Sequence, residues 1–167
     1  MNFIWQQKLN RLDEKCSYRK KAEENAQKFS TLLTSYLSKE FYNSKKIANS
    51  VAGHTVNALG DEYELYLRIT PPPGGIWDSD TLVIARIGFK EHRRGHGRKF
   101  IHFLVDCASI LGYSKIGLEC TNEKSNAFGR RLGFQEHGAY NHLLGTVHKV
   151  MQILDKNFEE TEQQPCQ

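Results

Sequence analysis

No apolar run in this sequence is long enough to span a bilayer. The first residues, Met1-Asn2-Phe3-Ile4-Trp5, pass directly into polar ones and lack the apolar centre of a secretion signal. A soluble, cytoplasmic protein with no membrane partner is the expectation. Cysteine is sparse: Cys16, Cys107, Cys120 and Cys166 are scattered, with no C-x-x-C pair, which argues against a disulfide scaffold and for reduced thiols. Metal-ligand patterns are also missing, because His92 and His96 flank a glycine turn and no H-E-x-x-H occurs, so no metal is expected. The net charge of +4 is too small an excess to require nucleic acid, and it suits an anionic ligand. Aromatic residues do not interleave with basic ones as they do in single-strand binders.

Glycine and proline are absent from Phe3 to Tyr42. Within that stretch apolar residues recur at Trp5, Leu9, Leu12 and Cys16, then at Ala22, Ala26, Phe29, Leu33 and Tyr36, which predicts two amphipathic helices or one long bent one. A polar helix face carries Arg19-Lys20-Lys21 and Glu23-Glu24. Ile47 to Leu59 and Tyr63 to Thr70 read as two strands. In the second, Leu65, Leu67 and Ile69 alternate with Glu64, Tyr66 and Arg68, as in an antiparallel strand with one buried face. Pro71-Pro72-Pro73-Gly74-Gly75 interrupts the sheet, and Trp77, Asp78 and Asp80 follow it. Gln135 to Tyr140 and His148 to Leu154 read as the last strands, joined by Asn141 to Val147. With 167 residues, 39% hydrophobic and 25% charged, one domain over 1–154 is expected, followed by a polar tail over 155–167 that frays.

Thr81 to Phe103 organises the rest. Leu82 to Phe89 is a β-branched apolar strand that feeds a basic, glycine-containing turn. Phe100, Phe103, Leu104, Cys107, Ala108 and Leu111 then fall at helical spacing, and Gly112 is placed to stop the helix. Such a strand, loop and helix can hold phosphate. Gly95 and Gly97 let backbone amides approach an anion, and the helix N-terminus adds partial positive charge. Taken alone, the G-x-G between arginines equally describes a tight turn on a solvated basic patch.

Downstream, Lys115 to Cys120 reads as a strand and Asn122 to Phe134 as a short helix ending in Gly-Phe. Together these stretches resemble the GNAT family, the Gcn5-related N-acetyltransferases. His92-Arg93-Arg94-Gly95-His96-Gly97 is similar to the family's Q/R-x-x-G-x-G/A loop, with His92 in the first place. Asn122, Ser125, Phe128, Gly133 and Phe134 are similar to N-x-x-A-x-x-F/L-Y-x-x-x-G-F. The resemblance covers roughly Thr81 to Phe134.

The resemblance implies an α/β (α+β) fold, a mixed and mostly antiparallel sheet flanked by helices, here with a helical N-terminal region over 1–42 that covers the substrate. It implies that residues 81–134 bind acetyl-CoA or another acyl-CoA. The pantetheine arm would lie on Ile87, Gly88 and Phe89, and the pyrophosphate on Arg94, Gly95, His96, Gly97, Arg98 and Lys99. Asn122, Ser125 and Phe128 would complete the site, although Asn122 and Ser125 also suit a plain helix cap. The implied activity is transfer of acetyl to a primary amine by direct attack in a ternary complex. The acceptor is a small molecule, a protein or an aminoacyl-tRNA, and a homodimer is left open.

The attacking amine must lose a proton, and the departing thiolate must gain one. Glu119, in Leu118-Glu119-Cys120, is the candidate base, and an exposed strand carboxylate is the plain alternative. The family's tyrosine acid falls on Gly129, which cannot donate a side-chain proton, so Tyr140, Cys120 or solvent is left as donor. Gly129 is also expected to open volume beside the thioester for a bulkier acyl group. A sensor or regulatory subunit that binds acyl-CoA without catalysis is the alternative reading.

Overall fold

The stretch free of glycine and proline forms one unbroken helix, α1 (Phe3–Glu40), in a computed structural model that describes residues 3–42 and 48–162. Of the two expected forms, it is the single long helix that is found, without a break. Phe3 to Trp5 lie in the helix, and Met1 and Asn2 lie outside the described residues. From Ala22 onward α1 buries Ala22, Ala26, Phe29, Leu33 and Leu37 against the body. Their three- and four-residue spacing places them on one face of the helix.

The strand expected from Ile47 to Leu59 is a hairpin instead. It consists of β1 (Ala48–Ala52) and β2 (Thr55–Leu59). The chain reverses at Gly53, whose φ of +57° costs little without a β-carbon. Ile47 lies outside the described residues. β3 (Tyr63–Ile69) shows the expected alternation, with Tyr63, Leu65, Leu67 and Ile69 buried and the residues between them more exposed.

β4 (Thr81–Phe89) is followed by α2 (His96–Leu111), β5 (Lys115–Leu118), α3 (Glu123–Arg131), β6 (Gln135–Glu136), β7 (Leu143–Thr146) and α4 (Val147–Glu162). The sheet runs β1-β2-β3-β4-β5-β7-β6. β4 and β5 are its parallel pair, joined by the α2 crossover, and the other pairs are antiparallel. The mixed, mostly antiparallel arrangement agrees with the expectation.

The C-terminal reading needs correction. Leu143–Thr146, taken as a connection, is a strand, and His148 to Leu154, taken as a strand, is helix. Val147, Val150 and Leu154 fall at helical spacing. Val150 and Leu154 are buried, while Met151 between them is exposed. Gln135 to Tyr140 shrinks to the two-residue β6, because positive φ at Gly138, Tyr140 and Asn141 turns the chain out of extended geometry. The segment 155–162 continues α4 as helix, and 163–167 lie outside the described residues.

α2 ends as expected, with Gly112 at φ 78° donating its N–H to Ala108 O. Cys107 is buried in the core, and burial pushes its thiol up to about 12. It is a packing residue with no thiolate chemistry at neutral pH.

Candidate functional site

β4 and β5 pair only through Ile84↔Leu118, and the last hydrogen bond runs from Glu119 N to Ile84 O at 2.9 Å. Beyond it Cys120, at φ 48°, turns the chain away. On the opposite edge of β4, Leu67 pairs with Ile84 and Tyr66 with Arg86. Ala85 is therefore the extra residue of a bulge, which bends β4 away just where β5 ends. Between the parted strands lies a cleft of about 180 Å³, lined by Ile84, Ile87, Glu119, Cys120, Asn122 and Ser125 among others. Among the described residues no strand lies beside this edge of β4 after Ile84. The edge can thus accept an extended, amide-bearing ligand as an added strand.

The turn after β4 passes through Arg93 at φ 59° and Gly95 at φ 79°, and Gly95 caps α2 without a side-chain hydrogen bond. The helical ladder begins with Lys99 N to Gly95 O at 3.0 Å. It leaves the amides of His96, Gly97 and Arg98 directed out of the helix end, a site suited to an anion. Gly97 packs against α3, where a β-carbon would lie 3.3 Å from the Phe128 ring. These amides and the cleft suit an extended ligand carrying a diphosphate.

The cationic side chains of this turn divide into two groups. Arg93 and Arg94 are exposed, and Arg94 pairs with Glu91 at 3.3 Å. The other side chains are held by partners in the protein, although Lys99 stays exposed. Lys99 and His96 both meet Glu40 Oε1, at 2.7 and 3.1 Å, and Arg98 donates to Leu154 O at 3.1 Å. Glu40 thereby ties the end of α1 to the start of α2, a link with no local sequence signal. Phe89 is packed among Phe41, His96 and Phe100. Gly88 has only ordinary contacts, the nearest being Glu64 O at 3.7 Å from an added β-carbon.

Glu119 stands at the fork of the strands with both carboxylate oxygens engaged. Arg68 Nε donates to Oε2 at 3.1 Å and Trp77 Nε1 to Oε1 at 3.3 Å. Trp77 reaches it by lying on Gly117, where a β-carbon would be 2.6 Å from the indole. Asp78 and Asp80, next to Trp77, are drawn to Lys115. The Ser114 hydroxyl, followed by the Lys115 cation, holds the Asp80 carboxyl below its ordinary range. Buried His142 lies tilted against Trp77, ring centroids 5.3 Å apart, and accepts the Cys120 N–H on Nδ1 at 3.0 Å, so the neutral ring carries its proton on Nε2. Sequence reasoning missed Arg68 and His142, which lie 51 and 22 residues from their partners.

Two expectations change here. Gly129 opens no volume: it is buried, and an added β-carbon would lie 2.6 Å from Leu118 Cδ1 and 2.8 Å from Leu143 Cδ1. Tyr140 is 78% exposed on a turn and is not among the cleft's lining residues, whereas Cys120 is. Asn122 and Ser125 line the cleft and also form the helix cap, Asn122 Oδ1 accepting Ser125 N–H at 2.9 Å. No group of side chains suited to a metal ion occurs among the described residues, and no helix there is long and apolar enough to cross a membrane.

The mixed, mostly antiparallel seven-stranded sheet with its helices is the kind of fold that the resemblance in sequence led us to expect. No family model matches the chain, and no curated protein matches it. Among solved structures it is similar to the archaeal Methanocaldococcus infernus Elp3, with TM-score 0.49 and 12% identity over 66% of this chain. It spans 33% of that protein's length. It is also similar to the AtaT toxin in complex with the C-terminus of the antitoxin AtaR (TM-score 0.44, 14% identity, 59% of this chain and 70% of that one). A third likeness is to a protein described as a GNAT-family acetyltransferase from Chromobacterium violaceum (0.43, 18%, 59% and 62%). These likenesses concern the fold alone, and the reading of function rests on the cleft and the amides beside it.

Proposed function

We propose that the protein is an N-acyltransferase that moves acetyl from acetyl-CoA to a primary amine by direct attack in a ternary complex. The observation that carries this reading is the parting of β4 from β5 beside an α2 N-terminus whose first amides lie outside the helical ladder. One ligand shape fits both features, an amide-containing arm ending in a diphosphate. The arm would lie along Ile87 to Phe89, and the diphosphate would be held by the amides of His96, Gly97 and Arg98, with Arg93 and Arg94 at its rim. When bound, acetyl-CoA supplies the activated acyl group.

Glu119 lies where the fork ends, and in this reading it takes the amine's proton. Arg68 and Trp77 fix its orientation, and each must share it with an incoming ammonium. An acceptor that displaces the Arg68 contact gains the carboxylate as its partner. For the departing sulfur, Cys120 lines the cleft and Tyr140 stands outside it, so a thiol or water is better placed than the phenol. The domain over 1–154, with α1 as one wall of the acceptor side, belongs to the same reading. The acceptor class is a small amine, a protein amine or an aminoacyl-tRNA.

A second reading, an acyl-CoA sensor, is favoured by one observation: both oxygens of Glu119 are already engaged. A single experiment separates the two. The protein is mixed with acetyl-CoA and a panel of amines, and free thiol is followed. Amine-dependent thiol release supports the transferase. Saturable CoA binding without release supports the sensor, and no CoA binding overturns both.

A further inference from the structure

From Ala22 onward α1 meets the body with an apolar stripe, but a polar stripe borders it and continues over the preceding turns. Glu14, Tyr18, Lys21 and Asn25 follow one another at four, three and four residues, the spacing of a single helix face. With Asp13 they form one wall of a groove of about 630 Å³, whose other wall is the end of β3, the loop before β4 and the turn after α2. Its floor is a buried polar trio. Asn25, Thr70 and Tyr113 are 9%, 3% and 6% exposed. Asn25 Nδ2 donates to Tyr113 Oη at 3.0 Å and to Thr70 Oγ1 at 3.5 Å, the two hydroxyls bond each other, and Tyr18 Oη donates to Thr70 O at 2.7 Å. Thr70 stands at φ 57°, a costly conformation for a β-branched residue, and these contacts hold it there. The trio leaves one acceptor unused: Asn25 Oδ1 takes no hydrogen bond among the described residues. Only Tyr36 Oη is both sealed and unpartnered among them, so Asn25 Oδ1 keeps open surface, and it is the groove that Asn25 lines.

We propose that this groove binds a small molecule carrying one primary ammonium group on an apolar body. The ammonium donates to Asn25 Oδ1, which supplies the partner that a buried polar group requires. Charge selects the sign of the ligand. Asp80 is already held by Lys115, whereas Asp13, Glu14 and Lys21 have no ion pair among the described residues, which leaves one negative charge in excess at the rim. Burial holds the Tyr113 phenol above its ordinary range, and burial followed by the neighbouring Tyr113 does the same for Tyr18, so the floor stays neutral. An anion would meet carboxylates at the rim and a carbonyl oxygen at the floor. Leu111 offers the body of the ligand an apolar wall, and the volume is that of a site for a whole small molecule. No residue of this groove lines the cleft at the fork of β4 and β5, so the occupant is distinct from the amine that would accept an acyl group there.

The test titrates phenethylamine into the full chain without acyl-CoA and follows backbone and side-chain amides by NMR. Saturable shifts centred on Tyr18, Asn25, Thr70 and Tyr113 are expected, with a dissociation constant on the order of a millimolar, as a ligand of this size allows. The N-trimethyl form keeps the charge but has no N–H for Asn25 Oδ1, and phenethyl alcohol lacks the charge, so both should bind about fivefold more weakly or worse. Asp13→Asn combined with Glu14→Gln, two exposed positions whose change leaves the core intact, should weaken the amine about fivefold, and Lys21→Gln should tighten it. No saturation, shifts confined to the surroundings of Glu119, equal binding of the trimethyl form, or indifference to the loss of both carboxylates overturns the proposal. Binding is read without acyl transfer, so its failure leaves the proposed function standing.

Discussion

The backbone of Gly129 on α3 faces Leu118 on β5 so closely that a β-carbon would stand 2.6 Å from its Cδ1. The position where the family signature carries tyrosine is thus filled by the core itself, with Leu118 and Leu143 occupying the space. Gly129→Tyr is expected to destabilise the protein by about 1–3 kcal/mol through overpacking, more than helix propensity returns. Denaturant midpoints will measure the loss. Equal or greater stability would mean that the two leucines yield and that the tyrosine site is latent.

Glu119 has two donors in place, and replacing it separates binding from chemistry. Glu119→Gln keeps the shape and should leave CoA affinity unchanged, because the diphosphate amides lie on another element. Amine-dependent turnover should fall about 10²–10⁴-fold, the range for loss of a general base. Calorimetry with CoA and a thiol-release assay test the two halves. Unchanged turnover would leave Glu119 a strand-end carboxylate and move the base to water.

Much of this was legible in the sequence, and the limits have physical causes. The β4–loop–α2 unit could be read because each part signals locally: a β-branched run, glycines where φ turns positive, helical spacing and a stop glycine. The α1 core stripe and the β3 alternation were legible for the same reason. His148 to Leu154 was misread because a short apolar run fits both periods, and only the burial of Val150 and Leu154 around exposed Met151 settles it. The contacts of Arg68 with Glu119 and of Glu40 with Lys99 and His96 join distant segments, and no local pattern announces them. Gly117 was read only as part of a strand, and its reason, the indole of Trp77 lying on it, is also a long-range one.

Asp80 joins the loop after the proline run to the start of β5 through Ser114 and Lys115. Its carboxyl is held below its ordinary range, so the native state binds its proton less readily than the unfolded chain. The stabilisation is therefore complete above the unfolded value near 4 and is lost as pH falls through the lower native value. Asp80→Asn should cost up to about 1 kcal/mol at neutral pH, as expected for a partly exposed pair. The gap between wild type and variant should narrow as pH falls below about 4. A gap constant from pH 7 to pH 3 would show that the charge of Asp80 contributes nothing.

The basic loop makes a sharper prediction, because its cations are not equivalent. If the amides of His96, Gly97 and Arg98 grip the diphosphate, Gly97→Asp should be the most damaging change. It places a carboxylate at the anion site and a β-carbon 3.3 Å from the Phe128 ring. Arg94→Glu reverses an exposed charge at the rim and should weaken CoA about tenfold or more, a loss of about 1.4 kcal/mol. Lys99→Ala should act differently, since that ammonium is already satisfied by Glu40 at 2.7 Å. Its removal leaves the Glu40 carboxylate with His96 alone, so the expected cost falls on stability and changes CoA affinity by less than the Arg94 reversal. Isothermal titration of CoA into the three variants gives the order directly. If Lys99→Ala proves the most damaging of the three, the phosphates lie on the α1 side of the helix, and Glu40 competes with the ligand instead of bracing its cradle.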